Sequence, residues 1–336
     1  MNEDHRPPLS PAVAETRLAV RRALGGLPAD ATVVVALSGG ADSLALTAAA
    51  AFEAPRVGVG VVAVTVDHGL QPASDAVAAR AAAAAEGLGV AARVVRVEVG
   101  VGGGPEAAAR SARHAALRDA AAGVGASAVL FAHTLDDQAE TVLLGLARGS
   151  GATSLAGMAP VREDEDASLL WVRPFLAVRR ATTRAACAAA GLVPWDDPHN
   201  DDPAYARVRV RKSVLPVLED ELGPGVAEAL VRTADQLRED AEAFAEMIEE
   251  TIEDIVEHAE AGIAVSVAAL AANPAALRNR IIRHVVASEF HVPLTRVQTL
   301  EVARLVTDWA GQGPIDLPGC RAHRAGGRIV FSAAGA

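Results

Sequence analysis

The sequence predicts an α/β protein whose first 215 residues form a Rossmann-like parallel sheet covered by helices. Short apolar runs rich in β-branched residues alternate there with alanine-rich helical segments, and such alternation builds parallel sheets. The runs show no polar alternation, as expected of strands that are buried on both faces. Clusters of polar residues follow three of the runs, at the strand ends where such sheets bind ligands.

The elements of this sheet follow one another in a regular order. A first helix is predicted over residues 9–27, because Ser10 can cap it and Pro11 suits its first turn. The predicted strands are residues 32–37, 57–66, 91–99 and 128–132, and the predicted helices are residues 43–52, 74–86, 106–122, 135–148 and 178–191.

The rest of the chain is mainly helical. An irregular stretch rich in proline and aspartate leads to residue 203, and Pro216 can break the helix that follows over residues 207–221. Residues 223–261 have the pattern of a long acidic amphipathic helical region. Two helices and a strand pair are predicted after it: residues 273–289, 294–308, 314–317 and 328–332. The expected parts are residues 1–215, an acidic helical linker over residues 216–262, and a smaller α+β domain over residues 263–336.

Composition narrows the class of protein. Hydrophobic residues make up 51% of the 336 residues and aromatic residues only 3%, so a sizeable core must be built from alanine, valine and leucine. No apolar stretch is long enough to span a membrane, and the acids and prolines at the N-terminus do not form a secretory signal. Cys187 and Cys320 form no CxxC motif. We expect a cytoplasmic protein without membrane association.

Charge is distributed unevenly along the chain. The net charge of −11 at first disfavours a nucleic-acid partner. Residues 216–262, however, hold 2 basic and 15 acidic side chains, whereas residues 263–336 hold 8 basic and 4 acidic ones. One acidic stretch therefore accounts for the overall sign, and a basic C-terminal region remains available for an anionic partner.

The hexapeptide SGGADS lies between the first strand and its helix. Glycines allow the backbone to approach an anion, the helix N-terminus adds partial positive charge, and the serine hydroxyls can donate hydrogen bonds to phosphate. Asp42 would repel phosphate unless it holds Mg²⁺ or caps the helix, so a tight turn capped by Asp42 is the alternative. The pattern is neither a Walker A loop nor GxGxxG. The residues are Ser38, Gly39, Gly40, Ala41, Asp42 and Ser43.

Two further polar clusters follow strands. Asp67, His68 and Gly69 end the second strand, where a turn held by Asp67 and Gly69 is an equally good interpretation. The segment HTLDDQAET follows the fourth strand and places Asp137, Glu140 and Thr141 on one face of a helical turn. Helix capping is an alternative role for its paired aspartates, since carboxylates are favoured at helix N-termini. Its candidate site residues are His133, Asp136, Asp137 and Glu140.

Clustered arginines suggest contacts with phosphate. Arg110 and Arg113 lie one helical turn apart and can meet a phosphate group, although a solvated helix face is the alternative. Residues 173–212 carry a net charge of +4, which is typical of a surface that binds a phosphate backbone, although a plain surface helix would also explain it. The basic residues of that segment are Arg173, Arg179, Arg180, Arg184, Arg207, Arg209, Arg211 and Lys212.

These motifs resemble a known family. SGGADS is similar to the signature of the PP-loop, or N-type, ATP pyrophosphatases. HTLDDQAET, the segment EAAARSARH before it, and DPHND followed by YARVRVR resemble the tRNA(Ile)-lysidine synthetases, with His114 where that family usually has tyrosine. The resemblance covers about residues 32–216.

The resemblance implies a PP-loop ATPase domain and an ATP-dependent ligase that forms a C–N bond. ATP would adenylate the wobble cytidine of a CAU-anticodon tRNA(Ile) with release of pyrophosphate, and L-lysine would then displace AMP to form lysidine. A homodimer is a candidate assembly.

The resemblance also implies roles for the site residues. Residues 38–43 would bind ATP, with Asp42 as the candidate Mg²⁺ ligand, and Asp67 and His68 would lie beside adenosine. Asp137 and Glu140, with His133 and Asp136, would bind lysine or act in catalysis. Arg110 and Arg113 would contact phosphate or the adenylated intermediate. The tRNA would be bound by residues 263–336 and by Arg207, Arg209, Arg211 and Lys212.

Three other functions are compatible with the nucleotide loop. A tRNA cytidine thiolase would need paired cysteines, and a glutamine-dependent amidotransferase would need an ammonia supply. A non-catalytic nucleotide-binding module would bind nucleotide without releasing pyrophosphate, and it would leave HTLDDQAET unexplained.

Overall fold

The computed structural model describes residues 9–69, 73–98, 100, 105–149, 151–164, 166–259 and 262–334. The chain forms two compact units, residues 1–237 and residues 238–336. The helices are α1 (Pro11–Leu24), α2 (Ala41–Glu53), α3 (Ser74–Gly87), α4 (Pro105–Ala122), α5 (Leu135–Ala147), α6 (Ala152–Leu155), α7 (Arg180–Ala189), α8 (Ala206–Arg209), α9 (Leu215–Leu222), α10 (Val226–Ile255), α11 (Val267–Ala272), α12 (Ala275–Phe290) and α13 (Arg296–Thr307). The strands are β1 (Thr32–Ala36), β2 (Gly60–Asp67), β3 (Ala91–Arg96), β4 (Ala126–Leu130), β5 (Val161–Glu163), β6 (Leu170–Val172), β7 (Val256–Ala259), β8 (Gly262–Ser266), β9 (Ile315–Leu317), β10 (Cys320–Ala325) and β11 (Arg328–Ala333).

The first unit contains a six-stranded sheet in the order β3-β2-β1-β4-β6-β5. All neighbouring pairs are parallel except β5 with β6. Val35 of β1 pairs with Ala63 of β2 on one side and Leu130 of β4 on the other. The carboxyl ends of β1, β2 and β4 therefore meet at one edge of the sheet, and the predicted α/β class is confirmed.

Both faces of this sheet are covered by helices, which explains the lack of polar alternation in the strands. Val33 and Val35 pack in a core that includes residues of α1, α2, α3 and α7. Val34 points to the opposite face, where Leu117 of α4 and Trp171 of β6 are fully buried.

Several elements differ from the sequence-based expectation. The strands β5 and β6 were not predicted, since three residues are too few to show a period. The helix predicted over residues 207–221 is continuous through Pro216, which lies in the first turn of α9 directly after a π-helical segment, Val210–Val214. Because proline donates no N–H, a local change of hydrogen-bond pattern lets the helix continue. The strand predicted over residues 91–99 ends at Arg96, and Val99 lies outside the described residues.

The second unit has an antiparallel sheet in the order β7-β8-β11-β10-β9. Its core includes Ile281 and Ile282 of α12 and Phe331 of β11, all essentially inaccessible to solvent. The predicted helical region ends at Ile255 rather than residue 261, because the chain there enters β7; residues 260 and 261 lie outside the described residues. The predicted strand pair is present, with the unpredicted β10 hydrogen-bonded between its two members.

Among the helices of the described residues, none combines the length and apolar character that crossing a bilayer requires. Residues 1–8, on which the expected lack of a signal rests, are not among the described residues.

Asp164 stabilises the edge of the sheet beside β6. Its carboxylate accepts hydrogen bonds from Arg118 Nε at 3.0 Å and Nη2 at 2.9 Å, and from Trp171 Nε1 at 2.6 Å. The bond from Arg118 is the main cause that lowers the pKa of Asp164 to about 2. A carboxyl group whose pKa is lowered in the folded state stabilises that state above its unfolded pKa.

We predict that Asp164→Asn lowers the free energy of unfolding at pH 7 by about 1–3 kcal/mol, because charged hydrogen bonds to Arg118 are lost. The difference from wild type should stay constant down to about pH 5 and shrink as the pH falls from about 4 to about 2. Urea unfolding at each pH, monitored by tryptophan fluorescence, measures this difference in the free energy of unfolding. Asp166→Asn is the control, since Asp166 is exposed and contributes one ion pair to Arg118; an equal effect of both substitutions would contradict the assignment.

Candidate active site

The loop after β1 has a backbone that requires glycine. Gly39 has φ +85°, and a Cβ added there would lie 3.3 Å from the Ala81 Cβ. The N–H of Trp195 donates to the Gly39 carbonyl at 2.9 Å, so the chain after α7 holds the loop from the other side. Gly39 is therefore needed both for its backbone conformation and for close packing.

Hydrogen bonds made by serine hydroxyl groups stabilise this loop. Ser43 Oγ accepts a hydrogen bond from the Ser38 N–H at 3.2 Å and donates to the Gly40 carbonyl at 2.9 Å. Ser43 is buried, whereas Ser38 is exposed. Gly40 is the N-cap of α2 and has no side chain to cap it. The N–H groups of the first turn therefore have no capping side chain and remain able to bind an anion.

Asp42 is the second residue of α2 and does not cap the helix. Its Oδ1 accepts a short hydrogen bond from Thr183 Oγ1, and its Oδ2 lies 3.8 Å from Arg180 Nε. Burial raises the pKa of Asp42; the bond from Thr183 opposes this shift, and the nearby charge of Asp137 adds to it. An additional cation at this carboxylate would therefore be favoured electrostatically.

Asp137 caps α5 with one carboxylate oxygen and pairs with Arg180 through the other. One oxygen, Oδ2, accepts from the Thr134 N–H at 2.8 Å and from Thr134 Oγ1 at 2.7 Å, which forms a capping box at the start of α5. The other oxygen lies 2.7 Å from Arg180 Nη2. Burial alone would raise the pKa of Asp137, but Arg180 and Thr134 lower it below its usual value.

Glu140 is completely buried and is surrounded by arginines. Arg211 binds it with Nε at 2.7 Å from Oε1 and Nη2 at 3.0 Å from Oε2, while Arg180 Nη1 lies 3.1 Å from Oε1. Arg207 Nε lies 3.8 Å from Oε2. A carboxylate without solvent requires such partners, because an unpaired buried charge costs several kcal/mol.

Asp136 fastens the start of α7 to α5. It accepts from the Arg180 backbone N–H at 2.8 Å and from Arg179 Nη1 at 3.3 Å. Arg179 also binds Glu228 at 2.7 Å. From the sequence, Arg179 and Arg180 were predicted only as part of a general phosphate-binding surface, and no role was predicted for Thr183. The sequence did contain one signal for these arginines. HTLDDQAET has more carboxylates than basic side chains, so its acids need basic partners from elsewhere in the chain.

A pocket of about 190 Å³ opens beside these acids, between α5, α7, α9 and α10. Glu140 and Asp136 line one part of it, and Leu215 and Pro216 give another part an apolar surface. Arg180 also lines the pocket and reaches Asp42 with its Nε. A single side chain thus connects the pocket with the loop after β1.

A group of histidines and aromatic rings lies near the carboxyl end of β4. The His114 ring lies 4.9 Å from Trp171 and 5.6 Å from Phe131, and His133 stacks on Phe131 at 5.6 Å. Burial lowers the pKa of both histidines to about 4, helped for His114 by neighbouring arginines and opposed for His133 by Asp137. Both rings are therefore neutral at pH 7, and His133 Nδ1 is buried without a hydrogen-bond partner among the described residues.

Arginines surround this group. Arg173 is buried and donates from Nη1 to the Ala159 carbonyl at 2.8 Å, while its Nε has no partner among the described residues. Burial, with repulsion from Arg162 and Arg110, lowers the pKa of Arg173 to about 10. Arg113 keeps access to solvent, but the surrounding protein and Arg110 lower its pKa. An anion would relieve the repulsion among these cations.

Asp67 and His68 lie at the end of β2. Asp67 Oδ1 accepts from the Gly69 N–H at 2.9 Å, so the turn that the sequence offered as an alternative is present. Hydrogen bonds from Ser74 and Gly69 lower the pKa of Asp67. Burial and the charge of Arg113 lower the pKa of His68, so the end of β2 lies near the middle of α4.

The basic residues near residue 210 have separate partners. Arg207 and Arg211 point to Glu140, and Arg207 Nη2 also binds Thr141 Oγ1 at 3.0 Å. Arg209 donates to the carbonyls of residues 203 and 204 at 2.6 and 2.8 Å, and Lys212 lies 2.5 Å from Asp201. Contact between tRNA and these four residues stays a prediction.

The described part of the chain contains no group of three histidine, cysteine, aspartate or glutamate side chains that could hold a metal by themselves. Mg²⁺ is commonly held by one or two carboxylates together with substrate phosphates. Asp42, with its raised pKa beside a free helix N-terminus, fits a Mg²⁺ ion that arrives with a nucleotide.

Comparison with known proteins agrees with this fold. Residues 15–218 match the family model of the PP-loop domain, and residues 266–330 match that of the TilS substrate binding domain. Among solved structures, the U34-tRNA thiolase NcsA from Methanococcus maripaludis shares the fold, with a TM-score of 0.57 and 20% identity over 68% of this chain and 80% of that one.

Curated relatives are much more similar in sequence. The tRNA(Ile)-lysidine synthase of Leifsonia xyli subsp. xyli is 60% identical over 303 residues, which is 90% of each chain. That of Thermobifida fusca is 50% identical over 328 residues, which is 96% of this chain and 98% of the relative. Since these matches extend over nearly the full length of both proteins, the chain belongs to the tRNA(Ile)-lysidine synthase family.

Proposed function

We propose that this protein uses ATP to ligate L-lysine to the wobble cytidine of a CAU-anticodon tRNA(Ile), forming lysidine. The observation that carries the proposal is the position of Arg180, which lies 3.8 Å from Asp42 of the nucleotide loop, 2.7 Å from Asp137 and 3.1 Å from Glu140. This arrangement supports one ion-pair network that would serve both a phosphorylated leaving group at the loop and an amine at the acids. The names of the curated relatives support the same reaction.

Two displacement steps account for the reaction. The cytidine O2 attacks the α-phosphorus of ATP and pyrophosphate leaves; the lysine side-chain amine then attacks C2, and AMP leaves with that oxygen. The loop over residues 38–43 would bind the departing pyrophosphate through the first-turn N–H groups of α2. A Mg²⁺ ion held by Asp42 would supply charge stabilisation on the leaving group.

The pocket beside Glu140 suits an amine that carries an aliphatic stem. Asp136 and Glu140 line it together with Leu215 and Pro216, so an amine and an aliphatic stem would both find complementary residues there. His133 is neutral at pH 7, and its buried Nδ1, which has no hydrogen-bond partner among the described residues, would pair with a polar substrate group that enters the site. Holding two reactants in line can supply several kcal/mol of rate enhancement.

Arginines outside this pocket would bind the nucleic acid. Arg110, Arg113 and Arg173 would contact phosphate of the cytidine nucleotide or its adenylated form, since they repel one another in the absence of an anion. Adenosine would lie beside Asp67 and His68. Residues 263–336, with Arg209 and Lys212, would contact the tRNA outside the reacting nucleotide. A homodimer stays a prediction.

The cysteines disfavour sulfur-transfer chemistry. Cys187 and Cys320 are both free and buried, and burial raises the pKa of both thiols. A thiol with a raised pKa is a poor nucleophile and a poor metal ligand at neutral pH.

We predict that purified protein with ATP, Mg²⁺ and radiolabelled lysine transfers label into a CAU-anticodon tRNA(Ile) transcript. A transcript of a methionine tRNA, which also has a CAU anticodon, is the matched control and should accept much less label. Absence of label from tRNA(Ile), with AMP release stimulated by a different acceptor, would assign the chain another reaction of the PP-loop class.

We predict that Asp42→Asn lowers the rate of pyrophosphate release by at least about 100-fold, because the carboxylate proposed for Mg²⁺ is lost, as is typical when transition-state charge stabilisation is removed. Asp75→Asn is the control, since Asp75 is an exposed acid in the first turn of the neighbouring helix α3. Pyrophosphate release is measured in single-turnover experiments with tRNA and without lysine. An unchanged rate in Asp42→Asn would remove Asp42 from the mechanism.

We predict that Arg113→Gln lowers kcat/KM for tRNA by about 10- to 100-fold, which corresponds to the loss of one charged hydrogen bond. Arg80→Gln, at an exposed arginine of α3, should stay within about 2-fold of wild type, as surface substitutions usually do. Initial rates of lysine incorporation at varied tRNA concentration measure both. Equal losses in the two variants would indicate a general effect of charge rather than a contact.

A further inference from the structure

We propose that Arg180 couples the binding of lysine to the binding of nucleotide. Its guanidinium occupies the position of the substrate amine until nucleotide phosphates draw it toward the loop over residues 38–43. The inference rests on the proposed function, and it assigns to Arg180 a positioning role rather than a chemical one.

The guanidinium of Arg180 is divided between two sites. Its Nη2 lies 2.7 Å from Asp137 Oδ1 and its Nη1 lies 3.1 Å from Glu140 Oε1, so it uses the carboxylates proposed for the amine. Its Nε lies on the other side, 3.8 Å from Asp42 Oδ2. The side chain is mostly buried, with 16% of its surface exposed, and it therefore lies within the site.

The two carboxylates that would meet the substrate amine are already paired. Asp137 and Glu140 are bound by two guanidinium groups, those of Arg180 and Arg211, and Arg207 lies 3.8 Å from Glu140. A lysine ammonium added to this set would lose its hydration and gain little attraction. Lysine can bind well only after one guanidinium has turned away from the acids.

Nucleotide provides the reason for Arg180 to turn. Phosphate groups at the loop after β1 add negative charge beside Asp42, and the planar guanidinium binds phosphate with two parallel hydrogen bonds. The Arg180 backbone is held by its N–H bond to Asp136, at 2.8 Å. Only the side chain has to rotate, and the start of α7 stays in place.

Arg211 is not suited to this role. It binds both oxygens of Glu140, at 2.7 and 3.0 Å, and its other ion pair is to Asp137, at 3.5 Å. When Arg180 leaves, Arg211 continues to neutralise Glu140, so that the released oxygens of Asp137 and Glu140 can accept an ammonium without a bare buried charge.

The test is equilibrium dialysis of radiolabelled lysine against the full-length protein, with and without α,β-methylene-ATP and Mg²⁺. In wild type, nucleotide should tighten lysine binding by about 10-fold, and lysine should tighten nucleotide binding by the same factor because coupling is reciprocal. Arg180→Gln should bind lysine more tightly than wild type without nucleotide, and its coupling should fall to about 2-fold or less.

Two further variants complete the experiment. Arg80→Gln removes an exposed guanidinium of α3 that takes part in none of these ion pairs, and it should keep the coupling of wild type. Arg180→Lys keeps the positive charge but loses the planar guanidinium, so it should keep part of the coupling. This variant continues the test if Arg180→Gln does not bind nucleotide.

The outcomes separate this inference from the proposed function. Three results would overturn the role of Arg180 while leaving lysine as the substrate. They are full coupling in Arg180→Gln, weaker lysine binding in that variant without nucleotide, and no coupling in wild type. Failure of every variant and of wild type to bind lysine under any condition, with nucleotide binding intact, would overturn the proposed function and the inference together.

Discussion

The carboxylate of Glu140 is fully buried, and the arrangement of the site follows from the way its charge is neutralised. Arg211 and Arg180 bind it directly, and Arg180 extends the same network to Asp137 and Asp42. Because an uncompensated buried charge costs several kcal/mol, Glu140 needs an arginine partner whenever the chain is folded, and Arg211, which binds both of its oxygens, provides one. The consequence is a site whose helices α5 and α7 are held together by ion pairs rather than by apolar packing alone.

The topology of the sheet explains why these residues meet. Strand β1 lies between β2 and β4, so the loop after β1 and the start of α5 leave the sheet side by side. Crevices of this kind are the usual ligand sites of parallel sheets. Helix α7 then brings Arg180 and Thr183 to Asp42, and the irregular chain after it reaches Gly39 through Trp195.

The same arrangement connects structure with a reaction in two steps. A nucleotide must be bound and cleaved before an amine is useful, and an amine that arrived first would meet acids already occupied by arginine. The neutral histidines and the mutually repelling arginines near β4 form a separate part of the site, which suits an anion and a base rather than an ammonium. The two parts provide opposite electrostatic environments within one unit of the chain.

The sequence by itself determined the parallel sheet, the loop with its glycines and the identity of the acids after β4, because these features depend on local patterns of apolar, glycine and polar residues. It also indicated that capping and binding competed as roles for Asp137, and the structure shows one oxygen in the helix cap and the other paired with Arg180. Only the tertiary structure decided that Arg180, Arg211 and Thr183 form hydrogen bonds with the acids, since these partners lie 40 or more residues away along the chain. Ion pairs of this kind leave no periodic signal in sequence, because they depend on which helices the sheet places next to one another.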